Sequence, residues 1–141
     1  MAATLLVRDV MTKDVKVIGP DSSVHKVVAA MNKYNVGSII VVKGDKPEGV
    51  ISERDILRRV VEPCLSPETV TAKQIMTSPV ITISESASVD EVIKLMAEKR
   101  VRKIPVMKED KLVGIITYTD VLSKVLSMIS ILGELIQPNY Y

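Results

Sequence analysis

Hydrophobic positions along this chain switch between a helical and a strand-like spacing, and the same sequence of switches occurs twice. In the first half a short β-rich stretch (residues 15–18) precedes Val24, Val27, Val28 and Met31. These stand at i, i+3, i+4 and i+7, the apolar stripe of an amphipathic helix. Residues 38–42 are dense in β-branched side chains. The polar turn Lys43-Gly44-Asp45-Lys46 follows, then a second apolar run around residues 49–52, which together predict a hairpin. A closing helix is expected from Glu53. The second half repeats this with a β-rich stretch at 80–83, a stripe at Val89, Val92, Ile93 and Met96, and runs at 103–107 and 114–117 flanking Lys108-Glu109-Asp110-Lys111. Its closing helix is expected from Tyr118. Asp21 and Ser86 are the expected N-caps of the two striped helices. The predicted order is β-α-β-β-α, twice.

The likeness extends to individual residues. A shift of 65 positions aligns residues 8–61 with 73–126 without a gap, placing Met11-Thr12 on Met76-Thr77, Gly49 on Gly114 and Asp55 on Asp120. Coincident Val and Ile would mean little in so apolar a chain; coincident Met-Thr, Gly and Asp at one offset mean a duplication. The expected organisation is repeat one over 1–61, a linker over 62–71, repeat two over 72–126, and a helical extension with tail over 127–141. Pro63, Ser66 and Pro67 break the periodicity in the linker, where Ser66-Pro67-Glu68 is suited to one helical turn. The last helix carries two apolar stripes, Val121, Val125, Met128, Leu132, Leu135 and Leu122, Leu126, Ile129, Ile136. A membrane span needs roughly 20 apolar residues, and this run lies between Lys124 and Glu134. The pattern therefore predicts docking in a homodimer and no membrane partner.

Composition narrows the functional classes. The chain has 141 residues, too few for two independent repeats of about 60 residues each to be comfortably stable apart. It has no Trp and no Phe, so Val, Ile, Leu and Met must fill the core. A net charge of +2 does not suggest a nucleic-acid partner. His25 is the one histidine and Cys64 the one cysteine. No disulfide, His-based metal cluster or Ser-His-Asp triad can be built within one chain, and the sequence offers no catalytic constellation, metal site or cofactor site. His25, Arg58 and Arg59 read as surface residues, and Cys64 as an inert thiol. The N-terminus lacks a signal-peptide layout, so a cytoplasmic location is expected.

Two motifs carry possible binding chemistry. Gly49-Val50-Ile51-Ser52-Glu53-Arg54-Asp55 and Gly114-Ile115-Ile116-Thr117-Tyr118-Thr119-Asp120 each end a strand in a hydroxyl followed three residues later by an acid. That spacing is close to a capping box, which needs no ligand. The same corner presents a carboxylate that can accept two hydrogen bonds from a ribose diol, beside a helix N-terminus that favours phosphate. Both readings stand on the residues alone. The second motif divides the repeats: Asn35-Val36-Gly37-Ser38 permits close backbone approach, whereas Arg100-Val101-Arg102-Lys103 offers cations suited to phosphate or simply a solvated basic helix end.

Taken together, Asp9-Val10-Met11-Thr12, Gln74-Ile75-Met76-Thr77-Ser78-Pro79-Val80, Ile104-Pro105-Val106 and the two Gly…Ser/Thr-x-x-Asp segments resemble the cystathionine β-synthase (CBS) domain. The whole chain resembles a stand-alone tandem CBS pair, or Bateman module. The Met-Thr segments look like that family's opening strands. The resemblance implies an α+β fold of two β-α-β-β-α repeats packed sheet to sheet about a pseudo-two-fold, with two composite clefts for adenosine-containing ligands. AMP, ADP and ATP lead among these, with S-adenosylmethionine and NAD as further candidates. By the resemblance, one cleft would use Ser52 and Asp55 for ribose, with the base along Thr77–Ile81 (Thr77, Pro79 and Val80 being the candidates there), Arg102 and Lys103 near phosphate, and Arg54 among the nucleotide-binding residues. The other would join Thr117 and Asp120 to Met11–Val17 (Met11 and Val15 being the candidates there), with Gly37 and Ser38 at the phosphate end and Thr119 among the nucleotide-binding residues. The resemblance also implies a homodimer and, through ligand sensing, a regulated partner protein. The competing expectation is an interaction scaffold whose hydroxyl–acid pairs serve only as caps.

Overall fold

The structure is a computed structural model that describes residues 4–136. Each repeat forms a three-stranded sheet with helices, an α+β arrangement. The first half contains α1 (Val7–Val10), β1 (Val17–Ile18), α2 (Val24–Tyr34), β2 (Ser38–Lys43), β3 (Lys46–Ser52) and α3 (Glu53–Ile56). The last continues into a π-helical turn, Leu57–Val61. The second half contains α4 (Ala72–Ile75), β4 (Ile83–Ser84), α5 (Val89–Lys99), β5 (Lys103–Lys108), β6 (Lys111–Thr117) and α6 (Tyr118–Glu134). The sheet orders are β1-β2-β3 and β4-β5-β6. β1 and β4 run parallel to β2 and β5, and β2 pairs antiparallel with β3, placing Ser38 opposite Ser52.

The striped helices form as the periodicity predicts, burying Val24, Val27 and Met31 in α2 and Val89 and Val92 in α5. Their N-caps differ from expectation. Ser23 and Ser88, directly before the apolar stripe, accept from the Lys26 and Glu91 amides at 3.2 and 3.1 Å. Asp21 instead pairs with Lys73 at 3.0 Å, and Ser86 shares a 2.9 Å bond with Ser84. Of the β-rich stretches only Val17–Ile18 and Ile83 find a parallel partner, and the second strand extends one residue beyond its expected stretch, to Ser84.

The opening Met-Thr segments depart furthest from expectation. Each is a four-residue helical turn ending in a single bridge rather than a strand. The turns form because α1 must bury Val7 and α4 must bury Ala72 and Ile75. Thr12 then exchanges backbone hydrogen bonds with Ile115, both 2.8 Å, and Thr77 with Val50, at 2.8 and 3.0 Å.

These segments cross the order of the repeats. One compact unit, called the first here, contains Val15–Ile81 and Glu109–Leu112; the second contains residues 4–14, Thr82–Lys108 and residues 113–136. The first core gathers Val24, Val27, Met31, Ile39, Val41, Ile51 and Val60 together with Ala72 and Ile75 of the second repeat's opening. The second gathers Val89, Val92, Ile104, Val106, Ile116 and Val121 around Val7 of the first repeat's opening. Val and Ile dominate both, with no leucine among the fully buried residues described.

The linker is tied down by its backbone. Val24 and His25 amides donate to Val70 and Pro67 carbonyls, each at 2.8 Å, and Ser66–Val70 closes one helical turn through a 3.1 Å bond. Cys64 is exposed and free. α6 continues past the repeat to Glu134, and the expected tail beyond residue 136 lies outside the described residues. Among the described residues no helix is long and apolar enough to cross a membrane.

Candidate functional site

Each unit places its hydroxyl–acid motif where a strand turns into a helix. In the first unit, Ser52 caps α3: its Oγ accepts from the Asp55 amide at 3.2 Å, while the Ser52 amide donates to Asp55 Oδ2 at 2.9 Å. In the second, Thr117 Oγ1 accepts from the Asp120 amide at 3.1 Å, and the Thr117 amide donates to Asp120 Oδ2 at 3.0 Å. Both are complete capping boxes, satisfying two helix-terminal donors reciprocally and placing an acid at the positive end of the helix dipole.

A third residue joins each corner from far away in sequence. Thr77 Oγ1 donates to Asp55 Oδ1 at 3.2 Å. Thr12 Oγ1 donates to Asp120 at 3.2 Å to Oδ1 and 3.4 Å to Oδ2. Both threonines are exposed, and both acids are partly buried. Two glycines make this approach possible. A Cβ on Gly49 would lie 2.5 Å from Met76 Sδ, and one on Gly114 would lie 2.6 Å from Met11 Sδ and 2.9 Å from the Thr12 carbonyl oxygen. Hence the duplicated Gly, Met-Thr and Asp act together: glycine admits methionine, and the adjacent threonine reaches the acid.

Arg59 is exposed, as expected of a surface residue, yet it also makes contacts that the sequence did not show. Its Nη1 donates to the carbonyls of Ile75 at 2.8 Å and Met76 at 3.0 Å, and its Nε lies 4.0 Å from Asp55 Oδ1. The guanidinium thus fastens the carbonyl end of α4 to the corner. Arg59 lies in the π-helical turn, whose wider backbone repeat displaces side chains from regular α-helical directions. Lys124 occupies the equivalent place on the regular helix α6 and is exposed. A cation four residues after the acid was the available signal, and it suggests only a local pair.

The remaining candidates divide between the units. Gly37 and Ser38 adjoin the first corner: the Glu53 amide donates to the Gly37 carbonyl at 3.1 Å, and Ser38 is half-buried opposite Ser52. Pro79, exposed, and Val80, half-buried, follow Thr77; Val15 is half-buried, and Arg54 points to solvent. Arg102 and Lys103 belong to the second unit and adjoin its corner, where the Tyr118 amide donates to the Arg102 carbonyl at 2.9 Å. The Arg102 guanidinium lies 5.3 Å from the Tyr118 ring centroid, within cation–π range. Lys103 is half-buried, and desolvation lowers its pKa from the ordinary lysine value. Met11 packs at Gly114, while Thr119 is exposed.

The chain is similar to known sequences and folds. The model of the CBS domain matches residues 7–62 and 72–127. A protein of Methanopyrus kandleri described as uncharacterized is 36% identical over 118 residues, covering 82% of this chain and 60% of that one. The chain therefore spans under two thirds of that relative. Hypoxic response protein 1 of Mycobacterium tuberculosis is 30% identical over 115 residues, covering 81% of this chain and 80% of its own. Among solved structures, a hexameric CBS-CP12 protein from bloom-forming cyanobacteria superposes with a TM-score of 0.74 at 28% identity. That match covers 88% of this chain and 74% of the other.

Proposed function

The chain belongs to the CBS domain family, and from that premise we propose that it is a cytoplasmic regulatory module whose strand–helix corners take adenosine-containing ligands. AMP, ADP and ATP are the leading candidates; S-adenosylmethionine and NAD share the ribose that the corners would recognise. Tandem CBS pairs are in general regulatory and ligand-binding, and this module acts without catalysing a reaction. Its output passes to a regulated partner through ligand-dependent differences in affinity between conformations.

The observation that carries the reading is the composition of each corner beyond its cap. An ionised carboxylate has about four acceptor positions. The Ser52 amide and the Thr77 hydroxyl engage Asp55 on different oxygens, which leaves acceptor capacity beside an exposed threonine. Asp120 repeats the arrangement with the Thr117 amide and Thr12. A vicinal diol supplies two donors for such a carboxylate, and the threonine oxygen can accept as well as donate. Pro79 and Val80 offer apolar surface for a base after Thr77; Met11 and Val15 are the corresponding candidates around Thr12. Arg102 and Lys103 are the phosphate candidates, with Gly37 and Ser38 the uncharged equivalents. Arg54 and Thr119, the residues just before the two acids, complete the proposed set.

Ligand-linked melting of the full chain tests this against a panel of AMP, ADP, ATP, S-adenosylmethionine and NADH. A ligand at about 100 times its Kd adds about 2.7 kcal/mol, a shift of several degrees for a chain of this size. The ligand-induced increment, compared within each variant, should vanish in Asp55→Ala, in Asp120→Ala or in both. Loss in Asp55→Ala together with Arg102→Ala, but not in Asp120→Ala, would assign the cations to the same ligand as Ser52 and Asp55. The scaffold reading has one observation in its favour: both capping boxes are complete without a ligand. No increment with any member of the panel would establish that reading instead.

A further inference from the structure

A groove of the second unit joins an apolar wall to a cation. It has a volume of about 530 Å3 and lies between α5 and α6, with Ile93, Met96 and Ala97 on one side and Leu122 and Val125 on the other. Arg102 and Tyr118 close the end where α5 finishes and α6 begins. Among the described residues that line it, Arg102 alone is charged. From Tyr118 to Val125 the groove follows seven residues of α6, roughly 10 Å of helix. Small-molecule sites have this size and composition, a concave apolar surface with a few polar groups that fix the ligand's orientation.

We propose that this groove binds a free medium-chain fatty acid, its carboxylate on Arg102 and its alkyl chain laid along α6 toward Val125. The inference does not rest on the nucleotide reading. Arg102 belongs to that proposed set as well, so the aliphatic wall beside it, and not the cation alone, defines the new site. The guanidinium lies 5.3 Å from the Tyr118 ring centroid. That contact holds it at the end of the groove, and its N–H fork is suited to a bidentate carboxylate. The wall is built of branched aliphatic side chains and Met96, which adapts its shape to a flexible chain.

The first unit supplies a counter-example within the same chain. Its corresponding depression, of about 320 Å3, is lined in part by Val28, Met31, Asn32 and Leu57, at the places of Ile93, Met96, Ala97 and Leu122. The charge at its end is reversed. Glu53 stands at the position of Tyr118 and Gly37 at that of Arg102, and a Cβ on Gly37 would lie 3.3 Å from Glu53 Oε1. A carboxylate thus faces the place from which the second unit projects its guanidinium, and it would repel an anionic ligand. The far end is shut too: Val60 is 3% exposed, whereas its equivalent Val125 is 40% exposed. Asn32 in place of Ala97 adds an amide to the wall. Duplication has therefore produced two grooves, of which the second combines the cation, the length and the aliphatic lining that a fatty acid needs.

Isothermal titration calorimetry of the full chain with sodium decanoate tests the site. Wild type should bind it with a Kd on the order of 100 μM. Each buried methylene contributes about a fourfold gain, so octanoate should bind roughly tenfold more weakly. Decylamine, with the same tail and the opposite charge, should bind at least roughly tenfold more weakly than decanoate. Arg102→Gln should weaken decanoate by roughly tenfold. Ala97→Trp, which fills the groove and lies outside the nucleotide set, should abolish binding, while Asn32→Trp, its first-unit equivalent, should leave the Kd within about twofold. Ala97 and Asn32 are exposed, so circular dichroism and the melting temperature should show both tryptophan variants folded. Absence of decanoate binding overturns the proposal, as does equal affinity for decylamine or full binding by Ala97→Trp. So does an apparent affinity that falls as protein concentration rises, since a second copy of the chain would then occupy the groove. Binding to phosphatidylglycerol vesicles without affinity for free decanoate would overturn it in favour of a lipid surface.

Discussion

The two strand–helix corners share their capping box and their threonine–aspartate bond and differ in what braces them. Around Asp55 the opening segment is held three ways, by the Thr77–Val50 bridge, by Met76 over Gly49, and by Arg59 on the Ile75 and Met76 carbonyls. Around Asp120 the first two devices recur with Thr12, Ile115, Met11 and Gly114, but Lys124 takes the place of Arg59. At Gly114 the nearest atoms include the Thr12 carbonyl oxygen, 2.9 Å from where a Cβ would lie, whereas at Gly49 the nearest are all of the Met76 side chain. Thus a duplicated hydrogen-bond pattern and its backbone bridge persist where one copy carries a side-chain strap and the other a lysine in its place.

The glycines should separate the two modes of support most strongly. Gly114→Ala forces its Cβ against a main-chain oxygen and should cost about 2–3 kcal/mol, whereas Gly49→Ala meets the movable Met76 side chain and should cost about 1–2 kcal/mol. Urea unfolding of both variants would show this, and equal losses would remove the claimed difference in backing. Next come the acids: Asp55→Ala and Asp120→Ala each lose a capping-box acceptor and a threonine bond, for about 1–2 kcal/mol. Unequal losses would show that the corners are not energetic copies.

The strap is a smaller effect. Arg59→Met should lower stability by about 1 kcal/mol through its lost carbonyl bonds, and Lys124→Met should change it by less than about 0.5 kcal/mol. A silent Arg59→Met in thermal denaturation would reduce the strap to a surface contact. The smallest effect is pH-dependent and belongs to the second unit, where Lys103 stands at the position of Ser38. Its folded pKa is lowered by desolvation, so the unfolded chain binds more protons between the folded value and the ordinary lysine value. Burial of the charge disfavours folding below that window, and the penalty is relieved as pH rises through it. Lys103→Met should therefore flatten the alkaline rise relative to wild type in a stability–pH profile; identical profiles would count against the burial effect.

Local features of these corners could be read from the chain, and distant ones could not. Ser52 with Asp55 and Thr117 with Asp120 are three residues apart, so each motif contains its own cap and reveals it. The stripes of α2 and α5 are visible for the same reason, since one helix turn brings their residues together. Which threonine meets which acid depends on a bond spanning 108 positions for Thr12 and 22 for Thr77. Periodicity has no reach over such distances. The coincidence of Gly, Met-Thr and Asp at one offset signalled a shared purpose without showing the pairing, and only the family resemblance grouped Thr77 with Asp55 and the Met11 segment with Asp120. The N-caps were misplaced by two residues because Asp21 and Ser86 have suitable chemistry, while Ser23 and Ser88 also have the position. Arg59 escaped notice because its partners are backbone carbonyls, which leave no residue-type signature.

The crossing of the opening segments has a consequence for the order in which the protein can assemble as it is synthesised. Chains emerge from the ribosome with the N-terminus first, and domains fold as their residues become available. Apart from Glu109–Leu112, the first unit is all present once Ile81 has emerged. The second unit contains the earliest of the described residues and also the latest. Val7 must wait for Val121, and Thr12 for Asp120. The earliest described residues are therefore among the last of them to be placed, and a nascent chain arrested between the two halves would hold one nearly finished unit and an earlier segment still without its partner.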